Sequence, residues 1–180
     1  MTRGRIHVEK LLCLALRHHP ETLGIAIDPQ GYSPLDALCA ALAARRVALT
    51  SEELRALAAD PATSRFALSP DGRSLRAQHG HSLDVDLGYP PTAPPLALFH
   101  GTIAAALPAI RAAGLVRGER RHVHLSPDAI RAAAVARRRG PAVILTIAAA
   151  RLAATGHAFM VAPNGVWLTE GVPAQFIAVE

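Results

Sequence analysis

The chain has 180 residues, enough for one domain or two small ones. Hydrophobic residues make up 51% of it, which argues against a disordered chain. The net charge is +5, and Lys10 is the only lysine. Because the planar guanidinium of arginine suits phosphate, this composition favours an anionic partner such as RNA, DNA or a nucleotide. A GC-rich coding sequence would produce the same arginine bias, so composition alone does not decide.

The first residues, MTRGRIHVEK, are polar, and we expect no signal segment. Arginine interrupts the alanine-rich runs before they reach membrane-spanning length. Cys13 and Cys39 lie in apolar helical patterns without a CxxC pair, so we expect free buried thiols. These features predict a cytoplasmic protein with no membrane association, and no pattern demands more than a monomer.

The first half of the chain shows three helical patterns followed by a hairpin. Apolar residues at helical spacing predict helices in VEKLLCLALRH, SPLDALCAALAARR and TSEELRALAAD. Ser33 and Thr50 are the predicted N-caps of the second and third helices, each with an acidic residue three positions later. RFAL, the turn SPDG and RSLRAQH then predict two antiparallel strands. Three helices followed by a two-stranded wing is the order of a winged-helix domain.

The stretch LRAQHGHSLDV, residues 75–85, continues the second strand of this hairpin with polar side chains on both faces. Such a strand would meet a metal, a nucleic acid or solvent. Histidines two residues apart share a face of a strand and could bind zinc, and the chain has two such pairs, His79/His81 and His122/His124. No cysteine completes either pair, so we predict no metal site.

Proline-rich residues 87–95, LGYPPTAPP, predict a linker. Beyond it, strands and helices alternate: LALFH, HVHLS and PAVILTI as strands, IAAALPAIRAAG and PDAIRAAAVARRRG as helices, then short strands around HAFMV, VWLT and AQFIAV. Gly114 and Gly140 are predicted left-handed caps of the two helices. The predicted fold class is α+β. Most of the positive charge of this half lies in RGERR (117–121) and RRR (137–139).

Three polar segments allow a structural and a functional interpretation. Arg17-His18-His19 ends the first predicted helix, where basic residues complement the helix dipole. FHGT, residues 99–102, follows a predicted strand, where a glycine can let the backbone approach a ligand. NGVWLT, residues 164–169, contains the only tryptophan, which also suits a core position. The chain has neither GxGxxG nor GxxxxGK[ST], so a Rossmann or P-loop nucleotide site is not predicted.

Six segments, in the same order, resemble the RNA 2′-phosphotransferases of the KptA type. They are LCLALRHHPETLGIAIDPQGY, RFALSPDGRSLRAQHGHS, LFHGT, GLVRGERRHVHLS, RRRGPAVILTI and NGVWLTEGVP. The resemblance implies an amino-terminal winged-helix domain that binds RNA (residues 1–86), the linker 87–95 and a carboxyl-terminal ADP-ribosyltransferase-like domain that binds NAD⁺ (96–180). It also implies NAD⁺-dependent transfer of an internal RNA 2′-phosphate to ADP-ribose, as in tRNA splicing or RNA repair. The products would be 2′-hydroxyl RNA, nicotinamide and ADP-ribose 1″,2″-cyclic phosphate, formed through an ADP-ribosylated RNA.

The same resemblance implies the residues of the site. The catalytic residues would be Arg17, His18, Arg76 and Arg138. The NAD⁺ contacts would be His100, Gly101, Thr102, His124, Ser126, Asn164, Gly165 and Val166. The RNA contacts would be Arg65, His81 and Ser82. Arginine stays charged at neutral pH and suits phosphate oxygens, while the histidine after Arg17 could move a proton in the second step. NAD⁺ would be consumed as a co-substrate, and no metal is implied.

The sequence departs from the family pattern at positions that bear on the specificity for RNA more than on the reaction. Gln78 and His79 replace an asparagine and a glutamine in the segment written RANQGHS in the family. Thr63 and Ser64 stand where lysines are usual, which leaves Arg65 as the basic residue there. Two other functions stay open: an ADP-ribosyltransferase that stops after the first step, and a winged-helix DNA-binding regulator. The acidic start of TSEELRALAAD, the predicted recognition helix, argues against the regulator.

Overall fold

The computed structural model describes residues 3–60 and 65–179, which fall into two compact units, Met1–Gly88 and Tyr89–Glu180. Thr63 and Ser64 lie outside the described residues. The described chain is a mixed α and β protein with six α-helices and antiparallel sheets. That composition agrees with the predicted α+β class.

The first unit combines three helices with a three-stranded sheet. Its elements are α1 (Arg3–Arg17), β1 (Tyr32–Pro34), α2 (Leu35–Ala44), α3 (Ser51–Ala59), β2 (Phe66–Leu68) and β3 (Ser74–Ala77). A turn of 3-10 helix, Pro20–Thr22, follows α1. The sheet has the order β1-β3-β2, and both pairings are antiparallel. Apolar residues from all three helices and the hairpin form one core, in which Leu12, Leu38, Leu54 and Phe66 are fully buried.

The two predicted N-caps of this unit have different outcomes. At α3 the capping box is confirmed: Thr50 Oγ1 accepts from the Glu53 N–H, and the Glu53 carboxylate accepts from the Thr50 N–H. At α2 the prediction is wrong, because Pro34 is the N-cap and Ser33 lies in β1. Ser33 is opposite Leu75 of β3, so pairing with a distant strand decides its conformation.

The hairpin is confirmed, but its second strand is shorter than predicted. Strand β3 ends at Ala77, and residues 81–97 contain neither helix nor strand. Gln78 closes the hairpin: its N–H donates to the carbonyl oxygen of Arg65 at 2.9 Å, and its Nε2 donates to that of Phe66 at 2.8 Å. The prediction that the histidines at 79 and 81 share a face of this strand is therefore wrong.

The second unit contains three helices and three small antiparallel sheets. Its elements are β4 (Leu98–Ile103), α4 (Leu107–Ala113), β5 (Leu115–Val116), β6 (Val123–Leu125), α5 (Ala129–Ala136), β7 (Ala142–Ile147), α6 (Ala149–Ala153), β8 (Met160–Val161), β9 (Trp167–Thr169), β10 (Gly171–Val172) and β11 (Ile177–Val179). Two sheets have three strands, in the orders β11-β7-β4 and β6-β9-β8, and β10 pairs with β5. A bridge between Phe99 and Ser126 connects the two larger sheets. Helix α6 and strands β5 and β10 were not predicted, because each is too short to show a period.

The two predicted glycine caps of the second unit also have different outcomes. Gly114 is the C-cap of α4 with φ +77°, as predicted. Helix α5 ends at Ala136 with Arg137 as its C-cap, so the prediction of Gly140 as the cap is wrong. The N–H of Arg139 donates to the carbonyl oxygen of Ala136 at 2.8 Å, which turns the chain out of the helix before the glycine. Within the described residues, no helix has the length and apolar composition to cross a bilayer.

The packing of α5 on β4 gives a first prediction. A Cβ on Gly101 would overlap the carbonyl oxygen of Ala132 and lie 3.0 Å from the Cβ of Ala136. Because packed backbone can yield only by separating the two elements, we expect Gly101→Ala to lower the free energy of unfolding by about 2 kcal/mol or more. Urea denaturation measures the loss. Gly118→Ala is the matched control, since a Cβ there meets nothing within 4 Å; equal stability of the two variants would contradict the prediction.

Candidate active site

The carboxyl end of α1 brings three predicted site residues together. Arg17 is the last residue of the helix, and its carbonyl oxygen accepts from the N–H groups of Ser82 at 2.9 Å and Leu83 at 3.3 Å. His18 Nδ1 lies 3.0 Å from Ser82 Oγ. Gly80 has φ +91°, and a Cβ there would lie 3.5 Å from Nη1 of Arg17. The GHS segment therefore supports both the guanidinium and the adjacent imidazole.

Arg76, on β3, makes contacts with its own unit that the sequence did not reveal. Its Nη1 donates to the carbonyl oxygens of Gln30 at 3.1 Å and Leu87 at 3.0 Å. Its guanidinium carbon lies 4.6 Å from the centroid of the Tyr32 ring, within range of a cation–π interaction. Arg76 therefore holds the loop before β1 together with the chain that follows β3.

Two residues predicted to contact RNA are also engaged within the first unit. Arg65 Nη1 lies 3.2 Å from Oε2 of Glu9, whose side chain is 1% exposed. A carboxylate buried this deeply needs a cationic partner, so Arg65 contributes to folding whatever else it binds. His81 is 3% exposed and lies beside Gly31. Ser82, by contrast, is exposed.

Cys13 lies near the same arginines. Burial raises the pKa of its thiol, and the charges of Arg17 and Arg65 oppose that rise only in part. We therefore expect an unreactive thiol at neutral pH. Both cysteines are free, as predicted, but each is only partly buried.

In the second unit, a hydrogen bond determines which ring nitrogen of His100 carries the hydrogen. Its Nδ1 lies 3.0 Å from the carbonyl oxygen of His124. A carbonyl oxygen only accepts, so Nδ1 carries the hydrogen. Burial lowers the pKa of His100; the hydrogen bond to His124 opposes this, and the charge of Arg139 adds to the lowering. The neutral ring therefore presents Nε2 as an acceptor.

In His124 the roles of the two ring nitrogens are reversed. Nη1 of Arg120 lies 2.9 Å from its Nδ1. Because a guanidinium only donates, Nδ1 accepts, and a neutral ring then carries its hydrogen on Nε2. Arg120 is exposed as a whole, but partial burial of its guanidinium lowers its pKa, and the charge of Arg139 acts in the same direction. Sequence reasoning missed Arg120 and Arg139, although both lie in segments singled out for their charge.

The NGV segment forms the turn between β8 and β9. The N–H of Val166 donates to Oδ1 of Asn164 at 3.2 Å, and Gly165 has φ +79°. Nη2 of Arg131, on α5, donates to the carbonyl oxygen of Asn164 at 3.0 Å. The N–H of Arg131 in turn donates to the cap residue Asp128 at 2.7 Å. Three predicted NAD⁺ contacts are thus held in place by the first turn of α5, and Arg131 was not predicted.

Four of the predicted residues lie in or beside β4, and Arg138 lies after α5. His100, Gly101 and Thr102 fall within the strand rather than after it. The backbone of Ser126 pairs with Phe99, beside His100. Arg138 is exposed in the turn after α5. In the described part of the chain, no three His, Cys, Asp or Glu side chains are grouped as metal ligands.

The contacts of Arg76 give a second prediction. Arg76→Ala removes a charged donor from two carbonyl oxygens, and hydrogen bonds to charged groups contribute about 1.5–3 kcal/mol each. We expect a loss of about 2 kcal/mol or more in the free energy of unfolding, measured by urea denaturation. Arg73→Ala, at an exposed position three residues earlier, is the control and should stay near wild type. Unchanged stability of Arg76→Ala would mean that these contacts are dispensable.

The pKa of His100 gives a third prediction. Its value lies below the ordinary 6.5 in the folded protein, so the unfolded chain binds more protons near that pH. The contribution of His100 to stability is therefore complete above pH 6.5 and is lost as the pH falls through the lower folded pKa. Titration of the imidazole ¹⁵N resonances checks this directly. A midpoint at or above 6.5 for His100 would refute it.

The chain is similar to known proteins over most of its length. Residues 3–171 match the family model described as "RNA 2'-phosphotransferase, Tpt1 / KptA family". A Burkholderia lata protein named "Probable RNA 2'-phosphotransferase" is 46% identical over 171 residues, 94% of this chain and 88% of the relative. Proteins of the same name from Agrobacterium fabrum and Streptomyces coelicolor are each 45% identical, over 94% and 96% of this chain and 91% and 93% of their own lengths. The chain belongs to the RNA 2′-phosphotransferase, Tpt1 / KptA family.

Proposed function

We propose that this protein is an NAD⁺-dependent RNA 2′-phosphotransferase. The family match over residues 3–171 carries the proposal, because it includes every residue predicted at the site. In the first step, an oxygen of the RNA 2′-phosphate forms a bond to the anomeric carbon of the nicotinamide ribose, and nicotinamide leaves. In the second, the ribose 2″-hydroxyl forms a bond to phosphorus, and the bond to the RNA 2′-oxygen breaks. NAD⁺ therefore serves as the acceptor of the phosphate.

The proposed catalytic groups suit this chemistry. Negative charge spreads over the phosphate oxygens in the second step, and fixed cationic donors stabilise it. The backbone carbonyl oxygen of Arg17 and the guanidinium of Arg76 form hydrogen bonds within the first unit, whereas Arg138 is exposed. His18, bonded to Ser82, is the proposed proton carrier for the leaving 2′-oxygen or the attacking 2″-hydroxyl.

We propose that the second unit binds NAD⁺ through β4, His124, Ser126 and the NGV turn. The acceptor at Nε2 of His100 suits a ribose hydroxyl, and the backbone of the turn offers polar groups at fixed positions. In this proposal NAD⁺ is consumed as a co-substrate.

The architecture fits the domains that the resemblance implies. The order α1-β1-α2-α3-β2-β3, with the sheet β1-β3-β2, supports a winged helix over residues 1–86. Two three-stranded antiparallel sheets connected by the Phe99–Ser126 bridge support an ADP-ribosyltransferase-like domain over 96–180. Residues 87–95, without helix or strand, fit a linker.

The reaction is tested with NAD⁺ and an oligonucleotide that carries one internal 2′-phosphate. We expect 2′-hydroxyl RNA, nicotinamide and ADP-ribose 1″,2″-cyclic phosphate in equal amounts, identified by mass spectrometry. The oligonucleotide without the 2′-phosphate is the control and should release no nicotinamide. A stable ADP-ribosylated RNA as the end product would instead show an ADP-ribosyltransferase that stops after the first step.

The catalytic arginines give a fourth prediction. Arg17→Ala and Arg138→Ala should each lower kcat by about 100-fold or more, since each removes a charge that stabilises the transition state. Arg137→Ala, at a neighbouring exposed position, is the matched control and should keep its turnover. Normal turnover of Arg138→Ala, measured by nicotinamide release, would remove that residue from the assignment.

A further inference from the structure

Tyr32 has no role in the function proposed above, although it lies directly opposite a proposed catalytic residue. The register of β1 with β3 pairs Tyr32 with Arg76. The guanidinium carbon of Arg76 lies over the Tyr32 ring, 4.6 Å from its centroid. We propose that Tyr32 is a positioning residue that holds the Arg76 guanidinium in the orientation that binds the RNA 2′-phosphate. The inference rests on the proposed function, in which Arg76 contacts that phosphate.

The position of the ring is fixed by the turn that precedes β1. Oδ1 of Asp28 accepts from the N–H of Tyr32 at 2.7 Å and from that of Gln30 at 3.0 Å. The N–H of Asp28 donates to the carbonyl oxygen of Tyr32 at 2.9 Å. The carbonyl oxygen of Gln30, in the same turn, accepts from Nη1 of Arg76 at 3.1 Å. The aromatic face and this carbonyl acceptor therefore belong to one hydrogen-bonded segment.

The ring and the carbonyl oxygens restrain different movements of the guanidinium. Gln30 and Leu87 hold Nη1 of Arg76 through their carbonyl oxygens. A guanidinium held at one nitrogen can still tilt, and a ring against its face opposes that tilt. Because a guanidinium donates in its own plane, contact with its face uses none of the N–H groups that bind phosphate oxygens. The ring also carries no charge, so it orients Arg76 without neutralising it.

Burial alone does not account for an aromatic residue at this position. Tyr32 is only half-buried and lies outside the apolar core of the first unit. An aliphatic side chain would also suit a strand, but it offers no π face to a cation. The contact with Arg76 is therefore the feature that requires an aromatic ring, and it orders a long side chain before a ligand arrives.

Steady-state kinetics of the full chain with NAD⁺ and a 2′-phosphorylated oligonucleotide test this role. Tyr32→Leu removes the π face and should lower kcat by about tenfold. The KM for NAD⁺, which is proposed to bind the second unit, should stay within about twofold. Tyr32→Phe keeps the ring and should retain a kcat near that of wild type. Wild-type kcat in Tyr32→Leu, or an equal loss in Tyr32→Phe, would overturn the inference.

Thr50→Ala is the control for stability. It removes the capping box of α3, in the same unit, which Thr50 forms with Glu53. Loss of a cap destabilises a helix, so this variant should unfold at a lower urea concentration than wild type and yet keep its kcat. If its kcat falls together with that of Tyr32→Leu, the loss comes from general destabilisation and the inference fails.

A measurement without substrate isolates the contact itself. Nε of Arg76 is shielded from solvent, so its hydrogen should be observable in ¹H–¹⁵N spectra. Arg76→Lys identifies the resonance by removing it. The ring current over an aromatic face shifts a nearby proton upfield. We expect this shift in wild type and Tyr32→Phe and its loss in Tyr32→Leu; the same position in all three would overturn the contact.

The outcomes separate this inference from the proposed function. If wild type catalyses the reaction and Tyr32→Leu keeps its kcat, only the positioning role is wrong. If wild type releases no nicotinamide but the upfield shift is present and is lost in Tyr32→Leu, the proposed function fails and the orientation of Arg76 by the ring stands. Circular dichroism identifies a variant that does not fold. Tyr32→Val, whose branched side chain suits a strand, then replaces Tyr32→Leu in both measurements.

Discussion

The close approach of α5 to β4 is the contact on which the second unit depends. Gly101 allows it, because any side chain there would overlap the backbone of Ala132. This helix also holds part of the proposed nucleotide site, because Arg131 in its first turn donates to the carbonyl oxygen of Asn164 in the NGV segment. The sequence suggested that Gly101 lets the backbone approach a ligand. In the structure, Gly101 is needed for the approach of α5, in addition to any contribution to binding.

Several polar residues have a structural partner as well as a proposed function. Arg76 bonds two carbonyl oxygens from different segments, and Arg65 pairs with the buried Glu9. Substitution of such a residue changes stability and binding together, so an activity loss alone does not establish catalysis. The hydrogen bonds of His100 and His124 likewise have two effects, since the contacts that hold the rings also decide which nitrogen of a neutral ring carries the hydrogen.

The departures from the family pattern now have a partial explanation. Gln78 spans the end of the hairpin and bonds the carbonyl oxygen of Phe66, so it completes the fold at the point where strand pairing stops. The predicted strand extended further, through residues with polar side chains on both faces. Pairing ended instead at Ala77, and the following GHS segment turned toward Arg17 and His18.

The sequence by itself determined the long helices, the Thr50 capping box, the hairpin and the family, because local periodicity and short motifs carry that information. Only the tertiary structure decided that Ser33 belongs to a strand, that α5 stops four residues before Gly140, and that Arg120 contacts His124. Strand pairing, burial and the proximity of charges join residues that are distant along the chain. No local pattern encodes them, which is why the basic segments 117–121 and 137–139 could be noticed in the sequence but their individual roles could not be assigned.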